Sequence, residues 1–125
     1  LMALSERGYF IGQVGTEISA VLGYNIDSQV ARIDEIYIYP LEMASQTGKA
    51  VLEDIEISAA THMGQILVAF LPEDIPAPIR ELFEAEDYVP MPFEEMTRGW
   101  QLAIEESQPE GTTYLVRLLR DTRAG

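Results

Sequence analysis

The stretch from Ile36 to Leu52, IYIYPLEMASQTGKAVL, constrains the fold of this chain more than any other segment. An apolar run ends at Pro40, a short connection follows, and Gly48 opens a segment with helical spacing. Pro40 has no N–H to give a sheet ladder, so it marks the end of a strand. Leu52, Ile55 and Ala59 recur at intervals of three and four, as a helix with one buried face requires. A strand running through a tight loop into a helix presents free N–H groups and the positive end of the helix dipole to an anion. Lys49, the only lysine of the chain, falls in the first turn of that helix. A cation there opposes the dipole, and a phosphate bound at the loop would reverse the sign.

Around this segment the pattern alternates between the two periods. Residues 9–14 and 18–26 read as strands joined at Gly15-Thr16. In the second, Ile18, Ala20, Leu22, Tyr24 and Ile26 form one face of a period-two strand. A turn over 27–29 leads to a third strand at 31–39, and the helix of 48–62 leads to a fourth at 65–70. Three prolines between 72 and 78 make a loop before a helix at 79–86. Segments 99–106 and 112–120 read as a final hairpin, turned by Pro and Gly within 107–111. Residues 1–7 read as the tail of a helix that breaks at Gly8, and the last few residues read as disordered. The fold class is mixed α/β (α+β), with a largely antiparallel sheet and helices packed on it. Residues 1–125 form a single domain, expected to be a fragment or one domain of a longer protein.

Charge and composition narrow the function. At 47% hydrophobic, the chain can bury a core without metal or disulfide. With no cysteine, disulfides and thiolate metal sites are excluded. The formal net charge of −13 disfavours nucleic acid and anionic membranes. No apolar run reaches the roughly 20 residues of a spanning helix. No signal peptide is visible, so the expectation is a soluble cytoplasmic protein. Glu53, Asp54 and Glu56 are expected on a solvated helix face rather than at a metal, and no metal site is expected. His62 is expected to pack or cap its helix end, and Trp100 to pack in a core or an interface. Met91, Phe93 and Met96 read as an apolar lid over the core, a wall of a pocket or an oligomer contact.

The same stretch resembles the acyl-CoA loop of the GNAT superfamily of N-acetyltransferases, which reads roughly P-x-x-R/Q-G-x-G-x-G/A-x-x-L. Pro40, Gly48 and Val51-Leu52 fall in register, while Met43, Ala44 and Gln46 stand where Arg or Gln, Gly and Gly are usual. Residues 31–39 resemble the family's fourth strand, 65–70 its fifth, and 78–89 its fourth helix and exit. In that helix Phe83 replaces a customary tyrosine and Asp87 a customary glycine. The family carries a strand and two helices ahead of the point where this chain begins, so part of that region is expected to be missing.

What the resemblance implies is an acetyl-CoA-dependent transferase acting on a small amine or a basic peptide. The pantetheine arm would enter where the fourth and fifth family strands splay apart. Ile36, Tyr37 and Ile38 would flank the thioester. Met43, Ala44, Ser45, Gln46, Thr47, Gly48 and Lys49 would hold the pyrophosphate. Acetyl transfer needs a base for the ammonium, donors for the oxyanion and an acid for the thiolate. Glu35, expected on one strand face with Ile33 and Tyr37, is the candidate base, or else pairs with Arg32 or points to an open edge. Tyr37 is a second catalytic candidate, mostly as a cleft-lining aromatic, and Asp34 a weaker one. Phe83 could supply no proton. The alternative is a catalytically degenerate module that binds a ligand or regulates. It could pair as a homodimer through the edge of the hairpin between Trp100 and Arg120.

Overall fold

A computed structural model describes residues 5–27 and 29–119. Five strands, β1 (Ser5–Val14), β2 (Glu17–Asp27), β3 (Val30–Ile38), β4 (Ile66–Pro72) and β5 (Thr112–Leu118), form one sheet in sequential order. Three helices, α1 (Lys49–Thr61), α2 (Ala77–Ala85) and α3 (Arg98–Ser107), join and cover it. All neighbouring strands run antiparallel except β3 and β4, which are parallel and linked through α1. Among the described residues no helix is long and apolar enough to cross a membrane.

The predicted alternation of β2 holds for Ala20, Leu22, Tyr24 and Ile26, all buried, whereas Ile18 is exposed. These residues pack with Leu52 and Ile55 of α1 and with Leu82 and Phe83 of α2. On the opposite face Val30, Ile66, Val68 and Val116 pack with Trp100, Ala103 and Ile104 of α3. From Ile66 to Leu71 every residue of β4 is buried, as expected of an interior strand covered on both faces. β1 lies close over the start of α1 because Gly12 has no Cβ. One built there would collide with Thr47 Cγ2 and Val51 Cγ2.

Three expectations need correction. Residues 5–7 belong to β1 rather than to a helix tail, and residues 1–4 lie outside the described residues, as do 120–125. Segment 99–106 is helical, so the final hairpin and its Trp100-to-Arg120 edge do not exist as such. Trp100, Ala103 and Ile104 share one buried helix face, and the Thr97 hydroxyl accepts a hydrogen bond from the Trp100 N–H as an N-cap. β5 pairs with β4 instead. Winding also begins earlier than Gly48, with a 3-10 turn (Leu41–Met43) and a π-helical turn (Ala44–Gly48) running into α1.

Candidate functional site

The parallel ladder between β3 and β4 spans only Val30–Ile33 against Ile66–Ala69. Beyond it the strands part. A bulge opposite Gly23 and Tyr24 inserts Asp34 into β3, and bulges bend a strand and increase its twist. Asp34, Ile36, Phe70, Pro72, Ile75 and Ile79 line the opening, a cleft of about 460 Å³. A second cleft, of about 540 Å³, lies between the wound loop and α2. Leu41, Glu42, Ala44, Ser45 and Lys49 form one wall, and Pro78, Glu81, Leu82, Ala85 and Glu86 the other. Pro78 faces the second cleft and its neighbour Ile79 the first, so the two adjoin at the start of α2.

The loop residues divide by role. Ala44, Ser45 and Lys49 face the second cleft. Gly48 is buried where an added Cβ would stand 3.0 Å from both Ile38 Cδ1 and Leu82 Cδ2, so its small size closes β3, α1 and α2 together. Thr47 packs toward Gly12, Met43 is half-buried, and Gln46 is exposed. The Lys49 N–H donates to the carbonyls of Ala44 and Gln46, and the Ala44 N–H to Leu41. The start of the helical winding, and with it the positive dipole end, therefore lies at Leu41 and Glu42 rather than at Gly48. Lys49 shares this cleft with three carboxylates, Glu42, Glu81 and Glu86. Glu81 on α2 and Glu86 at its C-cap are not among the residues the sequence singles out, although Pro78, Glu81, Leu82 and Ala85 fall at one-face spacing.

On β3 the bulge at Asp34 breaks the expected face. Ile33 is fully buried on the helix side, while Glu35 and Tyr37 are exposed on the other side of the sheet. The Tyr9 hydroxyl donates to Glu35 Oε1 at 3.0 Å, across Gly23 of β2. Arg32 is buried and donates to Asn25 Oδ1 and the Val30 carbonyl. Burial holds its guanidinium below the usual arginine value, against the pull of Asp27, Glu106 and Asp34. Ile36 lines the gap, and Ile38 is buried in the core.

Several other groups of the helix layer tie the elements together. Phe83 is fully buried, edge-on to Tyr88 with ring centroids 5.1 Å apart, and does not line either cleft. The Tyr88 hydroxyl donates to Glu56 Oε2 at 3.0 Å, and Arg117 Nη1 reaches Glu56 Oε1 at 3.0 Å and the Glu86 carbonyl at 3.0 Å. Burial raises the Glu56 carboxyl above the usual glutamate value, although Tyr88 and Arg117 oppose that rise. Burial, with Glu56 beside it, raises Tyr88 as well. Glu56 is thus not on a solvated face as expected: it ties α1 to β5. His62 caps its helix, with Nδ1 2.8 Å from the Ser58 carbonyl.

No family model matches the chain, and no curated protein does. Solved structures do. A GNAT-family acetyltransferase from Staphylococcus aureus Mu50 superposes with TM-score 0.66 at 7% identity, over 86% of this chain and 64% of its own. The PaiA N-acetyltransferase of Thermoplasma acidophilum, in complex with coenzyme A, gives 0.59 at 9% identity, over 86% and 58%. A tandem GNAT protein from the clavulanic acid biosynthesis pathway gives 0.59 at 17% identity, over 70% and 30%. The chain has the fold of the GNAT acetyltransferases and spans 30–64% of the length of these three.

Proposed function

We propose that this chain is a cytoplasmic, acetyl-CoA-dependent N-acetyltransferase for a primary amine. The observation that carries the reading is the parting of β3 from β4 beside a cleft at the strand-loop-helix junction. In this reading the diphosphate lies against the turn from Met43 to Lys49, with Lys49 as its cation, and the pantetheine arm runs past Ile36, Tyr37 and Ile38. The amine nitrogen attacks the thioester carbonyl carbon while Glu35 takes its proton, directly or through water. Backbone N–H groups of β3 hold the oxyanion. Collapse of the tetrahedral intermediate expels the CoA thiolate, which takes a proton from water, since Phe83 has none to give.

A second reading, a degenerate module that has kept the fold without the chemistry, is favoured by Glu42, Glu81 and Glu86, which line the same cleft as Lys49. Glu86 has Arg117 at 4.0 Å, and the two remaining carboxylates against one ammonium disfavour a diphosphate. Calorimetry of acetyl-CoA at about 150 mM salt separates the two. The transferase reading expects micromolar binding that Lys49→Ala weakens, and an acetylation rate that Glu35→Gln cuts at least a hundredfold. Absence of heat at high ligand concentration overturns it.

A further inference from the structure

Arg117 of β5 reaches the seam between α1 and the end of α2, where two carboxylates compete for it. Its Nη1 lies 3.0 Å from Glu56 Oε1 and 4.0 Å from Glu86 Oε1, and donates to the Glu86 carbonyl at 3.0 Å. The two glutamate side chains are 12% and 13% exposed, so neither is solvated as a surface carboxylate is. They line different clefts. Glu56 and Arg117 line one of about 440 Å³ between α1 and the end of β5, together with Glu53. Glu86 lines the cleft between the wound loop and α2, together with Glu42, Lys49 and Glu81. Among the described residues these are the charged groups of the two clefts. Tyr88 donates to Glu56 Oε2, the oxygen that Arg117 does not hold.

We propose that Arg117 passes from Glu56 to Glu86 when Glu56 takes up a proton, so that a proton bound beside α1 removes a negative charge from the cleft beyond α2. One guanidinium leaves the pair of carboxylates with an excess negative charge, and a single proton relieves it. Glu56 is the place for that proton. Burial disfavours its ionised form and Glu86 adds to this, against the pull of Tyr88 and Arg117. Tyr88 keeps Oε2 as an acceptor, which leaves the proton to Oε1. An O–H there meets the Arg117 N–H donor to donor, and the ion pair is gone. A charge-assisted hydrogen bond to Glu86 needs the guanidinium only about 1 Å nearer, with the bond to the Glu86 carbonyl as pivot. The consequence for binding rests on the transferase reading above. At 4.0 Å Arg117 offsets Glu86 in part, and in contact it offsets Glu86 fully. An anion in that cleft therefore binds more tightly as pH falls through the titration of Glu56.

The test is an NMR pH titration of the whole chain without ligand. It follows the carboxyl ¹³C of Glu56 and Glu86 and the guanidinium ¹⁵Nη of Arg117. Separate Nη resonances, the mark of a held guanidinium, should persist on both sides of the Glu56 step. In Glu86→Gln they should average on the acid side, where no carboxylate receives Arg117. In Glu56→Gln the step should vanish from the Glu86 and Arg117 signals alike. Averaged Nη resonances in the acid wild type, or Glu86 taking the proton before Glu56, overturn the exchange. Calorimetry with dephospho-CoA at about 150 mM salt reads the consequence, since its diphosphate diester does not titrate in this range. Affinity should rise about threefold across the step in wild type and stay level in Glu56→Gln. The outcomes separate the two readings. Exchange of Arg117 with no dephospho-CoA binding keeps this inference and removes the transferase. Binding with no exchange of Arg117 keeps the transferase and removes this inference.

Discussion

Asp87 occupies the position where a glycine would be customary, and its backbone explains why. Its φ is 70°, the left-handed region, just beyond the C-cap of α2. The Tyr88 N–H donates back to the Phe83 carbonyl and the Glu86 N–H to that of Leu82, closing the helix end around it. Aspartate tolerates this conformation better than most residues, so the helix ends in this geometry without a glycine. Asp87→Gly should stabilise the fold by roughly 0.5 kcal/mol in urea unfolding. Glu56 gives a pH signature of its own. A carboxyl raised in the folded state contributes stability that is complete below its unfolded value and lost as pH climbs through its folded one. Glu56→Gln cannot ionise, yet can still accept from Tyr88. Its stability relative to wild type should therefore improve as pH rises above the ordinary glutamate range and level off once the folded carboxyl has ionised, read from denaturation midpoints. A difference that is flat with pH would mean the Tyr88 and Arg117 contacts cancel desolvation, and one that falls with pH would mean they outweigh it.

At the scale of elements, the prediction that discriminates concerns α3. Thr97→Ala should cost about 1 kcal/mol, because it removes the cap that a strand would not use. Gly12→Ala should cost roughly 1–3 kcal/mol by pushing β1 off Thr47 and Val51. The strands and α1 were legible because each has one dominant period. Segment 99–106 was not, since Trp100, Leu102 and Ile104 fit a period of two while Trp100, Ala103 and Ile104 fit a helix. Leu102, 41% exposed, shows which period governs. Likewise, alternation along β3 was readable but the bulge at Asp34 was not, so Glu35 was assigned the face of Ile33. The clefts depended on the least legible feature, the winding of residues 41–48, because neither Pro40 nor Gly48 announces where a helical turn starts.

Over the whole molecule, charge sets the terms for any anionic ligand. The net charge of −13, with Glu42 and Glu81 lining the cleft of Lys49, repels acetyl-CoA at long range. Raising salt from about 20 to about 150 mM should therefore tighten acetyl-CoA binding, opposite to the trend at a basic phosphate pocket. The parting of the strands has a mechanical consequence as well. β1–β3 and β4–β5 are two slabs of sheet sewn together by four residue pairs at one end, Val30–Ile33 against Ile66–Ala69. Past the last stitch, half the main-chain amides of β3 look into a gap instead of at a neighbour. In deuterated water that margin should take up label ahead of the seam it continues. A filament slipped between the slabs would slow the uptake there by bridging them, as a wedge grips the split it enters.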